Sequence, residues 1–252
     1  MIIPDSAEPG FSEALRRALA PVADPVTDDR WTTYGAIREA LREDDPTLPR
    51  GIWERPLKRG DPALAAHLAL DALERGKDVY VAGWLVEAWV RRDGFRGLRN
   101  GLWLLLRLCQ EHWDALRPVP TEHDPDARDR AFERLDAHLP GPIGRAPLTA
   151  DHPRFTWDDW RAALLRERHY AGGVADGPSL DDMGTAAAQT EASFYTAAAG
   201  DLAQSVEVLD ALQTVLRERI VDAPPSLASL RQFVLEIHAW TAARLAERGG
   251  VA

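Results

Sequence analysis

Cysteine is nearly absent from this chain, with one in 252 residues. A lone Cys109 cannot form an internal disulfide, and no Cys/His set is available to hold zinc. Because Cys109 sits in an apolar helical run, it reads as a buried core thiol in a reducing compartment. The seven histidines are scattered, none sits at i+3 or i+4 from another, and no HExxH occurs, so no metal is expected. Missing too are the Gly-x-Ser-x-Gly nucleophile turn, a phosphate-binding glycine loop and a dinucleotide fingerprint, so no cofactor is expected. No run of apolar residues is long enough to span a bilayer; the most apolar, Leu102–Cys109, is interrupted by Arg107. The opening MIIPDSAEPG has neither the basic residues nor the apolar stretch of a signal peptide, so a cytoplasmic protein without direct membrane insertion is expected. Basic residues are outnumbered: 30 Lys and Arg face 40 Asp and Glu, for a net charge of −10 and a pI near 5.2. That balance argues against nucleic acid or an anionic membrane as a bulk partner.

What is present is helical periodicity. Alternating β-branched stretches are lacking, whereas apolar residues recur at spacings of three and four through most of the chain. Helices are expected over 11–19, 31–42 and 63–75, the last opened by Asp61-Pro62 and closed by Gly76 in a left-handed conformation. Asp78 caps the next, which runs to Asp93 and ends at Gly94. A long helix then follows through Leu98, Leu102, Leu105, Cys109, Trp113 and Leu116. Asp124-Pro125 repeats the Asp-Pro start for a helix to Leu139. Residues 141–155 carry three prolines and two glycines without helical period, which predicts a linker. Beyond it, Thr156 caps a helix, an alanine-rich stretch runs from Ser179 to Ala199, and Gly200 marks a turn. Two further stripes follow, Leu202 to Ile220 and Leu227 to Thr241. The expectation is an all-α protein with a multi-helix domain over 1–148, a linker at 149–155 and a helical middle domain over 156–252.

Four features invite a chemical reading, and each has a structural alternative. Acidic doublets at 28–29, 44–45, 158–159 and 181–182 supply paired carboxylates, yet they lie at helix ends, where acidic groups favour the dipole. Lys77-Asp78 is a charged pair. Adjacent residues do not face each other on a helix, so Asp78 reads as a cap and Lys77 as the partner of some other carboxylate. Arg91, Arg92, Arg96 and Arg99 form a basic patch beside Trp89 and Phe95. A solvated helix end, a docking patch for an acidic protein and a nucleic-acid contact all fit it, the last poorly in so acidic a chain. Leu227, Leu230, Val234 and Ile237 form an apolar stripe that fits a dimer face and internal packing equally well.

The centre of the chain is GKDVYVAGWLVEAW (76–89) followed by DGFRGLRNGLWLL (93–105): two helices joined at a glycine-dependent corner. With REDDPTLPRGIWERPLKRGD (42–61), EHWDALRP (111–118) and APLT (146–149), this order of motifs resembles the ImpA N-terminal domain of TssA-type proteins in the bacterial type VI secretion system. The residues carrying the resemblance are Trp53, Lys77, Asp78, Trp84, Leu85, Glu87, Gly94, Phe95, Gly97, Leu98, Gly101 and Trp113. SFYTAAAGDLAQSVEVLDAL (193–212) and DAPPSLASLRQFV (222–234) are similar to the family's middle region. The Gly-rich opening common in the family is not recognisable in 9–29, and Gly60-Asp61-Pro62 stands where a tryptophan is often found.

The resemblance implies a non-enzymatic assembly factor that recruits baseplate, membrane complex and contractile sheath and tube. It implies a homodimer or higher oligomer, peripheral at most to the inner-membrane complex. Longer members continue into a ring-forming C-terminal region, so a fragment or a short form is expected. The reading from another class is an enzyme built on the scattered carboxylates. A third is an accessory protein of the same system, capping the sheath or holding a peptide in a groove near the Arg91–Arg99 corner.

Overall fold

The computed structural model describes residues 9–22, 30–44, 57–150, 154–169 and 177–249. The described residues are all-α, with isolated bridges and no strand. Helix α1 spans Pro9–Leu19 and α2 Arg30–Leu41. Helix α3 (Pro62–Arg75) begins where the Asp-Pro signal places it, with Asp61 Oδ1 accepting the Leu64 amide at 2.9 Å. It does not end as expected. Gly76 is extended (φ −174°, ψ 138°), not left-handed, because the chain must run straight on into Lys77 and Asp78. Asp78 then caps α4 (Val79–Asp93): its Oδ1 accepts the Tyr80 amide at 2.8 Å and the Val81 amide at 3.3 Å.

Gly94 turns α4 into α5 (Phe95–Glu111) with no intervening loop, at φ 63°, ψ −136°, a backbone that L side chains rarely adopt. The sequence stripe runs on to Leu116, but α5 stops at Glu111. There His112 turns out of the helix and donates from Nε2 to the Leu19 carbonyl at 2.9 Å. A 3-10 turn, Trp113–Ala115, still delivers Leu116 to the core.

Helix α6 (Ala127–His138) starts later than Asp124-Pro125 suggests. Asp124 and Thr121 are tied to each other by two backbone hydrogen bonds of 3.1 Å, a turn of their own ahead of the helix. Pro140, just past the expected helix end at Leu139, opens the one-turn α7 (Pro140–Gly144), as proline can at a first helical position. The described residues on either side of 151–153 in the stretch expected as a linker pack against the fold. Ala146, Leu148, Thr149 and Phe155 are buried, and the Leu148 amide reaches the Phe155 carbonyl at 2.7 Å.

Reciprocal capping boxes open α8 (Trp157–His169), through Thr156 and Asp159, and α9 (Leu180–Gln189), through Ser179 and Asp182. The doublets at 158–159 and 181–182 are therefore first-turn residues. Asp28, Asp29 and Asp45 of the other two lie outside the described residues. The alanine-rich stretch breaks at Thr190-Glu191, not at Gly200. Helix α10 (Ala192–Arg219) continues through Gly200, whose missing side chain leaves open space. Helix α11 (Ala228–Gly249) closes the order.

The α4–α5 hairpin is central. Helix α3 packs on α4, α1 and α2 pack on α3, and α6 and α7 cover another side of α4. Helix α10 lies along α5 and carries α11, which returns to α6 and α7. One continuous apolar cluster thus joins Ala14 and Ile37 to Leu98, Leu106, Leu212 and Ile237. A satellite of Phe155, Ala163 and Met183 sits between α8 and α9. No described helix is long and apolar enough to cross a membrane.

Candidate functional site

The two faces of α4 do different work. One is pressed against α5 at Gly97 and Gly101, one turn apart. A β-carbon at Gly97 would lie 2.0 Å from the Trp89 carbonyl oxygen, and one at Gly101 would lie 2.9 Å from Val86 Cγ2. The helices meet backbone to backbone, which only glycine permits. Around this crossing Leu85, Phe95 and Leu98 are buried.

The N-terminal end of α4 is tied down by the charged pair. Lys77 is 1% exposed, and its ammonium donates to two main-chain carbonyls, Ala18 at 2.6 Å and Leu73 at 2.8 Å. These are the last turns of α1 and α3, where unpaired carbonyls and the helix dipole favour a cation. The carboxylate partner expected for Lys77 is therefore replaced by two helix C-termini, and burial pushes the ammonium down to about 8. Burial likewise raises Asp78. The Tyr34 hydroxyl, the Val81 and Tyr80 amides and the positive Arg117 oppose that rise. The backbone on either side is held by Arg117, whose carbonyl accepts from Val79 and whose amide donates to Lys77, both at 2.9 Å.

The four arginines of the expected patch do not act together. Arg91 turns inward, donating to Glu87 Oε1 at 2.5 Å and to the Leu41 carbonyl at 2.9 Å, with Glu43 at 3.3 Å. Arg99 crosses to α10 and pairs with Asp201 at 2.6 Å, both side chains only 13% exposed. Arg92 and Arg96 remain at the surface, around Asp93. The stripe Leu227, Leu230, Val234 and Ile237 lies in the chain's own interior, each at most 1% exposed. Of its two readings, internal packing is the one it fulfils, leaving no surface for a second copy. Trp113 stacks on Phe132 and carries the Arg128 guanidinium over its ring at 4.6 Å, a structural role. Trp53 lies outside the described residues.

The opposite face of α4 opens to solvent in a cleft of about 490 Å³ between α2 and α6. Its floor is Tyr80, Gly83, Trp84 and Glu87, which recur at three and four residues along α4. Gly35, Arg38, Glu39 and Arg42 of α2 form one wall; Arg134, Leu135 and His138 of α6 form the other. Aromatic edges brace the floor, with Tyr34 meeting Trp84 at 4.9 Å between ring centroids and Trp31, 79% exposed, meeting Tyr34 at 6.0 Å. Glu87 is buried, which alone would raise its pKa. His138 Nε2 at 2.7 Å and Arg91 outweigh that effect and hold the carboxyl below its ordinary value.

The groove is therefore on the family helix, but none of Arg91, Arg92, Arg96 and Arg99 lines it. Trp84 and Glu87 were legible as family residues. Gly35, Arg38, Arg134 and His138 were not, because they come from helices about 50 positions away in sequence on either side. The i, i+3, i+4, i+7 spacing of Tyr80, Gly83, Trp84 and Glu87 was the available signal.

Comparison with known proteins bears on the family and the overall fold. A family model for the ImpA N-terminal region of the type VI secretion system matches residues 17–137. Over 126 residues the chain is 27% identical to type VI secretion system component TssA1 of Pseudomonas aeruginosa, a match covering 49% of this chain and 37% of that protein. The chain therefore spans well under half of TssA1. A solved structure aligns over 93% of this chain and 94% of its own, with a TM-score of 0.77 and 28% identity. It is the N-terminal domain, including the conserved ImpA_N region, of the TssA component of the type VI secretion system from Burkholderia cenocepacia.

Proposed function

We propose that this chain, whose residues 17–137 match the family model for the ImpA N-terminal region of the type VI secretion system, is a member of that family and a non-enzymatic assembly component of that apparatus. It works in the bacterial cytoplasm by holding baseplate, membrane-complex and sheath or tube components together. The observation that carries this reading is the fold match over nearly the whole chain to the N-terminal domain of a TssA component. Resemblance thus extends past the family segment into the part that packs α10 along α5.

The interior supports the same reading. Lys77, Asp78 and Glu87 are buried and committed to helix ends, a cap and an ion pair, and buried Arg128 to the Pro118 and Leu116 carbonyls. Burial pushes the Cys109 thiol up to about 12, which keeps it protonated and a poor nucleophile at neutral pH. A second reading, an accessory adaptor of the same system that docks a peptide, is favoured specifically by the cleft on α4.

Deleting the gene in its host and imaging fluorescently tagged sheath tests the proposal. Cells lacking the protein are expected to lose sheath assembly and regain it on complementation. Sheaths assembling at normal number without it would overturn the reading.

A further inference from the structure

The charges lining the α4 cleft do not balance within the described residues. Glu39 is neutralised by Lys58 and by Arg42, at 3.0 Å for the latter. Arg42 also reaches Asp44 at 2.6 Å. Glu87 is neutralised by Arg91 and accepts a hydrogen bond from His138. Arg38 on the α2 wall and Arg134 on the α6 wall are exposed and have no carboxylate partner among the described residues. On a chain of net charge −10, two unspent guanidiniums flanking an aromatic floor are a local reversal of sign. Each guanidinium presents a planar fork of donors suited to a carboxylate. Between them, about 490 Å³ falls in the range that seats one compact group, roughly two side chains.

From this arrangement we infer that the α2–α4–α6 cleft is a docking site for an acidic peptide segment of a partner protein. One apolar side chain of that segment sits on Gly83 and Trp84, with its flanking carboxylates on Arg38 and Arg134. Charge complementarity selects the occupant. The cationic walls reject basic segments, and the chain's overall charge repels nucleic acid. The two guanidiniums belong to separate helices, so they suit carboxylates spread along a chain. The inference deepens the proposed function by giving the place and chemistry of one contact, and it rests on that reading only in taking the occupant to be protein.

The test selects a random peptide library displayed on phage against the purified chain, then measures the enriched peptides by fluorescence polarisation. The expected winners are acidic with one apolar anchor. Their binding should weaken with added salt and fall about tenfold or more in R38E/R134E. Gly35→Leu separates blockage from misfolding. Gly35 lines the cleft with nothing within 4 Å of its missing β-carbon, so a leucine there starts from open space and favours the helix. G35L should fold at least as stably as wild type yet lose binding by a similar factor.

Neutral or basic winners, winners that bind R38E/R134E and G35L as well as wild type, or no enrichment at all would each overturn the inference. Concentration-dependent dimerisation lost in G35L would also overturn it, assigning the cleft to a second copy. Loss of sheath assembly on gene deletion is a separate readout, so peptide docking and the assembly role fail independently.

Discussion

Gly97 of α5 lies so close to Trp89 of α4 that a methyl group at Gly97 would stand 2.0 Å from the Trp89 carbonyl oxygen. The obstacle is backbone, which cannot rotate away. Gly97→Ala must therefore push the helices apart through a buried core, and is expected to cost about 3 kcal/mol or more. At Gly101 the obstacles are a Val86 methyl at 2.9 Å and the Val86 Cα at 3.0 Å, a milder overlap than at Gly97, so Gly101→Ala should cost less, about 1–2 kcal/mol. Urea denaturation of both variants checks the ranking as well as the sizes.

Gly200 is the opposite case. It is exposed within α10 and nothing lies within 4 Å of its missing β-carbon. Gly200→Ala should stabilise the chain by about 0.5–1 kcal/mol, raising the melting temperature, because alanine loses less backbone freedom on folding. If a turn occupied this position, the same change would have no such effect.

Lys77 ties stability to pH. Burial lowers its pKa to about 8 in the folded chain, against about 10.4 when unfolded. Between these values the unfolded chain holds the proton that the folded chain has released, so this contribution makes stability rise with pH. The difference in unfolding free energy between wild type and Lys77→Met should grow in favour of wild type by roughly 1–3 kcal/mol from about pH 8 to about pH 10. Urea midpoints at the two pH values give that difference.

Arg99 and Asp201 join α5 to α10 across 102 positions of sequence, at 2.6 Å with little solvent on either side chain. A double-mutant cycle of Arg99→Met and Asp201→Asn should give a coupling of about 1–2 kcal/mol, well above the 0.2–1 kcal/mol typical of exposed pairs. Thermal denaturation of the four proteins measures it.

Leu230 discriminates between internal packing and self-association. It is fully buried, and its backbone amide donates to Asp136 Oδ1 on α6 at 2.8 Å. Leu230→Ala should cost about 2–4 kcal/mol in stability while leaving the solution mass measured by light scattering unchanged.

The helices were largely legible because their signals are local. Asp61-Pro62, Asp78, Gly94 and Thr156 act within one turn of themselves. The misplaced ends share a cause, since a competing long-range contact or a nearby turn overrode the local signal. His112 leaves α5 for the Leu19 carbonyl, and Asp124 is held by Thr121 ahead of α6. Lys77 was recognisable as special, but not its partners, because the Ala18 carbonyl comes from 59 positions away. The same holds for the cleft, whose floor lies on one helix while its cationic walls are brought in by α2 and α6. An apolar stripe such as Leu227 to Ile237 records burial without recording which surface buries it.

The central claim is that this chain acts by binding other components of the secretion apparatus. Its most direct test is size-exclusion chromatography of the purified chain mixed in turn with purified baseplate, membrane-complex, sheath and tube components. The account predicts a co-eluting complex with at least one of them, stable on dilution into the micromolar range, as interfaces of about 1,200–2,000 Å² commonly are. Independent elution from every component would contradict it.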